Sequence, residues 1–114
     1  MRPLALILSL LLASCGEDDS VVYRCDLRTA AMPLDYCQEY EGLTGSTAVD
    51  AYKGQCTGTW AASECPRKDT LGGCQAPESS GIVITNWFYP ASGGDQTAAD
   101  VEAGCASPDT YVAP

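Results

Sequence analysis

Val21-Val22-Tyr23-Arg24-Cys25-Asp26-Leu27-Arg28 sets apolar side chains at alternate positions with mostly charged ones between them. Successive side chains of a strand point to opposite faces, so Tyr23, Cys25 and Leu27 share one face and Arg24, Asp26 and Arg28 the other, as in a half-buried strand. That places Cys25 toward a core. Residues 29–34 read as a turn around Pro33, and residues 35–41 as a second, aromatic-bearing strand that stops at Gly42. After a loop over residues 42–45 the period changes. Val49, Tyr52 and Cys56 fall at i, i+3 and i+7 with Asp50 and Lys53 off that stripe, which is one face of a short helix, with Ser46 or Thr47 as its cap.

The unit is written a second time. A shift of 49 carries Cys25 onto Cys74, Tyr40 onto Tyr89, Gly45 onto Gly94 and Cys56 onto Cys105 without a gap, and it carries the helical stripe onto Ala98, Val101 and Cys105 with Asp95 as the cap. The reading is an internal repeat, residues 25–56 and 74–105. The second unit holds the strongest strand, Ile82-Val83-Ile84-Thr85-Asn86-Trp87-Phe88-Tyr89, apolar on both faces and stopped by Pro90, which predicts a central position. Between the units, Cys65-Pro66-Arg67-Lys68-Asp69 and Gly72-Gly73 read as an exposed linking turn, and Trp60 as a plug between the units.

The N-terminus supplies an address. Met1 and Arg2 precede an apolar run over residues 3–12, interrupted by Ser9, in the layout of a secretory signal. At 12 residues, 3–14 fall short of the ~20 that a membrane-crossing helix needs. Leu12-Ala13-Ser14-Cys15 resembles the lipobox of bacterial lipoproteins, in which a signal is cut before an obligatory cysteine that carries lipid. The resemblance implies a signal peptide over residues 1–14, lipidation at Cys15, an acidic tether over residues 15–20 and one domain over residues 21–114. Gly16 in place of an aspartate after the cysteine points, within that resemblance, to the outer membrane.

Once Arg2 is removed with the signal, five basic residues stand against fifteen acidic ones. That balance excludes nucleic acid as a partner and leaves acyl chains as the membrane contact. Export to an oxidising compartment makes the other six of the seven cysteines a disulfide framework. With no histidine and no Cys-x-x-Cys, neither a zinc site nor a thioredoxin-like motif has a footing. The repeat narrows the pairing. If both units fold alike, Cys25 pairs with Cys56 and Cys74 with Cys105, each joining a strand's apolar face to a helix stripe. That leaves Cys37 with Cys65, on the sheet face away from the helices. The competing arrangement joins equivalent cysteines across the units. The fold class expected is α+β: two degenerate strand-strand-helix units sharing an antiparallel sheet, with both helices on one side.

Cys-Asp-Leu-Arg from Cys25, Cys-x-x-Tyr-x-Gly from Cys37, Cys-x-Gly-x-Trp from Cys56, Cys-Pro at Cys65, Gly-Gly-Cys at Cys74 and the aromatic pair before Pro90 resemble a group of small cysteine-rich lipoproteins of large-genome Gram-negative bacteria. The resemblance implies location and a disulfide scaffold and transfers no functional residue. Chemistry is otherwise sparse. Absence of histidine removes the commonest general base and the Ser/His and Cys/His pairs. Glu39 with Glu41 or Asp35 would be the carboxylate pairs to consider, and Glu17-Asp18-Asp19-Ser20 lacks the spacing of a calcium loop. Tyr36, Tyr40, Trp87 and Tyr89 are the aromatic residues for glycan or peptide stacking, with core packing as their ordinary fate. The expectation is a non-catalytic, membrane-anchored envelope module without cofactor or metal, whose partner is an envelope protein or a glycan. The rival class is a small secreted enzyme, or an enzyme inhibitor presenting the loop between Cys65 and Cys74.

Overall fold

The computed structural model describes residues 21–91 and 94–114. The signal peptide expected over residues 1–14, Cys15 and the expected acidic tether lie outside the described residues. In chain order the elements are β1 (Tyr23–Asp26), a 3-10 turn (Leu27–Thr29), β2 (Tyr36–Glu41), α1 (Ser46–Gln55), β3 (Thr59–Ala61), β4 (Gly72–Gln75), β5 (Val83–Phe88), α2 (Ala98–Gly104) and β6 (Thr110–Val112). The strands form one antiparallel sheet in the order β3-β1-β2-β5-β4-β6, so the fold is α+β and each unit is strand-strand-helix-strand. β5 sits next to the centre, as its two apolar faces require. None of the described helices is long and apolar enough to cross a membrane.

The strand order is a palindrome of the two units, and the register locates its dyad. Gln38 faces Asn86 across the β2–β5 pair, Tyr36 faces Phe88, and Tyr40 faces Ile84. Exchanging the units therefore sends Tyr36 to Ile84, Gln38 to Asn86 and Tyr40 to Phe88. The outer strands agree, because Cys25 faces Gln38 and Trp60 in the first unit, and Cys74 faces Asn86 and Tyr111 in the second. This corrects the gapless alignment: β2 and β5 correspond with a shift of 48, so Tyr40 matches Phe88 rather than Tyr89, and Cys37 matches buried Thr85. One residue matters because it flips every side chain to the other face.

Three disulfides staple the sheet: Cys25–Cys56, Cys37–Cys65 and Cys74–Cys105. These are the pairs to which the repeat leads. Cys25 and Cys74 lie on the face carrying both helices. Against that face pack Tyr40, Leu43, Val49, Tyr52, Trp60 and Ile84. The opposite face holds a second core of Cys37, Cys65, Trp87 and Tyr89, backed by Val112.

Several local expectations are overturned. β3 and β6 are strands of three residues, too short to show a period. Trp60 does not plug the space between units. It lies on edge strand β3 with its ring 5.5 Å from Tyr23 and 5.5 Å from Tyr40. Gly58 makes that pairing possible, because a Cβ there would stand 1.9 Å from the Asp26 carbonyl oxygen. The α1 cap is Gly45 at φ 81°, not Ser46 or Thr47, and it makes no side-chain cap bond. At α2 the cap is Thr97, not Asp95. Its hydroxyl accepts from the Asp100 N–H at 3.3 Å while Asp100 Oδ2 accepts from the Thr97 N–H at 2.8 Å, a reciprocal capping box.

Candidate functional site

The far sheet face brings the chain's buried charges together. Glu39 and Cys37 are two residues apart on β2 and therefore project to the same side. Cys65 and Arg67 are likewise two apart, so the Cys37–Cys65 bridge aligns Arg67 with Glu39. The carboxylate is fully engaged. Oε1 accepts from the Cys65 N–H at 3.0 Å and from Arg67 Nη2 at 3.0 Å, and Oε2 accepts from Trp87 Nε1 at 3.2 Å and from the same Nη2 at 3.3 Å. Arg67 also donates to the Cys65 carbonyl at 2.7 Å, and its guanidinium carbon stands 3.7 Å from the centre of the Trp87 ring. The linking turn is exposed only in part: Arg67, Lys68 and Asp69 are exposed, Arg67 while lying over Trp87, whereas Cys65 is 2% exposed and Gly72 and Gly73 are buried in β4.

A second pair repeats the theme beside it. Asp26 Oδ1 accepts from the Arg28 backbone N–H at 3.1 Å and from Nε at 2.9 Å, and Oδ2 accepts from Nη2 at 2.8 Å. The Arg28 guanidinium lies 3.8 Å from the centre of the Tyr89 ring. Its hydrogen bond to Asp26 holds that carboxyl below the ordinary value of 3.8 against the opposing effect of burial. Tyr89 donates to the Pro66 carbonyl, and burial pushes its phenol up despite Arg28. Neither arginine was legible as the partner of a buried carboxylate, because both stand at polar positions of their segments and keep about a third of their side chains exposed. The signal was the i+2 spacing, Cys37-x-Glu39 and Cys65-x-Arg67, once the two cysteines are paired.

The four candidate aromatics do not form one platform. Tyr36 and Tyr40 lie on the helix side, Trp87 and Tyr89 on the far side. Tyr40, Trp87 and Tyr89 are buried, and half-buried Tyr36 tilts against Phe88 at 5.7 Å. Tyr40 donates to Gln38 Oε1, and burial, with Tyr52 and Tyr36 nearby, pushes its phenol up to about 12. The carboxylate pairs are also separated by environment. Glu41 and Asp35 are exposed while Glu39 is spent on Arg67 and two N–H donors, so no pair is poised as acid and base. Among the described residues no group of three His, Cys, Asp or Glu side chains could hold a metal ion.

Three recesses open on the helix side. A shallow groove of about 600 Å³ runs along Val21, Tyr23, Leu43 and Val49, and another of about 400 Å³ lies between Tyr52, Pro77, Ile82 and Ile84. A smaller recess of about 220 Å³ sits under α2, walled by Phe88, Val101 and the Cys74–Cys105 bridge. Comparison with known proteins finds no match: no family model, no curated protein and no solved structure matches the chain.

Proposed function

We propose that this protein is a lipid-anchored, non-catalytic structural or binding module of the bacterial cell envelope, tethered through Cys15. The observation that carries the reading is Leu12-Ala13-Ser14-Cys15 at the end of an apolar run, followed by an acidic segment. The pairing of the other six cysteines among themselves supports it, since it leaves Cys15 to the lipid and suits an oxidising compartment. Two or three acyl chains, at ~0.8 kcal/mol per buried methylene, hold a soluble domain at a membrane that a single chain would hold only marginally. Saturation of Glu39 and Asp26 by their arginines, together with the absence of histidine, favours a scaffold over an enzyme.

The test is the mass of the mature protein. Membrane-extracted protein is expected to begin at Cys15 and to carry a diacyl or triacyl increment, and Cys15→Ala is expected to abolish both the increment and membrane retention. An unmodified Cys15 on mature protein in the soluble fraction would sink the proposal.

A further inference from the structure

The dyad allows the two helix–sheet interfaces to be compared residue by residue, and they are unequally filled. In the first unit Tyr52 of α1 stands with its ring 5.0 Å from that of Tyr40, tilted by 48°. Register makes Phe88 the counterpart of Tyr40. Counting four residues back from the bridged Cys56 and Cys105 makes Val101 the counterpart of Tyr52. A phenol ring is therefore replaced by an isopropyl group, and seven residues back Val49 is replaced by Ala98. Tyr23 also shrinks, to Gly72, but there Tyr111 moves in: a Cβ on Gly72 would meet the Tyr111 ring at 2.5 Å. Phe88 has Tyr36 as a tilted neighbour at 5.7 Å from across the β2–β5 pair, but α2 carries no ring to take the place of Tyr52. The recess of about 220 Å³ is what remains, with Cys74, Phe88, Gln96, Asp100, Val101 and Cys105 on its walls.

We propose that this recess is a binding site for one small, planar, neutral aromatic molecule, a phenol or an indole, which stands on Phe88 as Tyr52 stands on Tyr40. Size agrees, because an apolar cavity of ~150 Å³ accepts benzene, which leaves room here for a ring with one or two substituent atoms. Polarity agrees as well. Asp100 is one of the lining residues, its Oδ2 bonded to the Thr97 N–H and hydroxyl at 2.8 and 3.0 Å, and a carboxylate there can accept from a ligand O–H or N–H. The same carboxylate repels an aromatic acid, as does the chain's net charge of -9. This inference goes beyond the envelope reading and stands independently of the lipid at Cys15.

The experiment is a titration of the full chain with p-cresol, followed by amide NMR, with p-hydroxybenzoate in a parallel arm. Saturable shifts confined to Phe88, Val101, Gly104 and Cys105 are expected, with p-hydroxybenzoate at least ~tenfold weaker, because with its O–H on Asp100 its carboxylate would replace the p-cresol methyl against the apolar walls, in a chain of strongly negative charge. Val101→Tyr should fill the recess from within, abolish p-cresol binding and raise the Tm. Should that variant fail to fold, Phe88→Leu decides, since loss of the stacking ring should weaken p-cresol ~tenfold. Shifts that spread over the surface without saturating, p-cresol binding retained by a folded Val101→Tyr, or unchanged affinity in Phe88→Leu would each overturn the proposal.

Discussion

Glu39→Ala isolates the interaction on which the far sheet face rests. Glu39 is 3% exposed and its carboxylate serves three donors, so its removal strands the Cys65 N–H and Trp87 Nε1–H and leaves Arg67 with the Cys65 carbonyl and the more distant Glu64 carboxylate at 4.0 Å. Breaking a buried ion pair from one side costs about 3–5 kcal/mol. Arg67 keeps a side-chain exposure of 38%, so water recovers part of its charge and the lower end applies. The two stranded N–H groups add ~1 kcal/mol between them after local relaxation, which gives a loss of about 4 kcal/mol. Glu39→Gln keeps the volume and one acceptor and should lose about 2 kcal/mol. The assay is urea unfolding of the full chain with its disulfides intact, followed by tryptophan fluorescence, at unchanged m-value. Adding Arg67→Ala to Glu39→Ala should cost less than the two single losses combined, by ~1–2 kcal/mol. If Glu39→Ala costs under ~1 kcal/mol, or the two losses simply add, the buried pair is not what orders this face.

The pH profile has two limbs. The Asp26 carboxyl is held below 3.8 in the fold, so its contribution is complete above the unfolded value and is lost as pH falls through the folded one, and Asp26→Asn should remove that acid limb from a Tm-against-pH series. Tyr40 works in the opposite sense: with its phenol raised from 10.0 to about 12, its contribution is complete below pH 10 and is lost between pH 10 and 12, a limb to which the raised Tyr89 phenol adds and which Tyr40→Phe should reduce. Reduction should unfold the domain at moderate temperature, because bridges separated by 31, 28 and 31 residues contribute about 3.5 kcal/mol each on the chain-entropy account; an equal melting temperature with and without reductant would refute it. Gly58→Ala should cost about 2–3 kcal/mol, since its Cβ meets backbone that cannot yield, and hydrogen exchange should show β3 opening first.

Much of this architecture was legible because the repeat carries its own cross-check. Two cysteines at matching places in each unit, one on a strand's apolar face and one on a helix stripe, imply both the bridges and the side on which the helices lie. The limits are physical. Thr59–Ala61 and Thr110–Val112 span three residues each and owe their strand form to pairing with β1 and β4, which no local pattern records. The one-residue offset between β2 and β5 hides because Tyr40 aligns with Tyr89 by identity and with Phe88 by register, and an aromatic residue satisfies either. Arg67 is exposed, as its charge suggests, but the sequence does not show that its guanidinium also covers Trp87 and pairs with buried Glu39 beside the Cys37–Cys65 bridge. The recess under α2 was out of reach until register showed which small residue stands in for which ring.

The claim most directly open to measurement is that two units related by a dyad each close their own strand-to-helix bridge. Peptide mapping of the mature chain under non-reducing conditions reads it in one step. Linked peptides carrying Cys25 with Cys56, Cys74 with Cys105 and Cys37 with Cys65 are predicted; a Cys25 peptide linked to Cys74, or a Cys56 peptide linked to Cys105, would contradict the account.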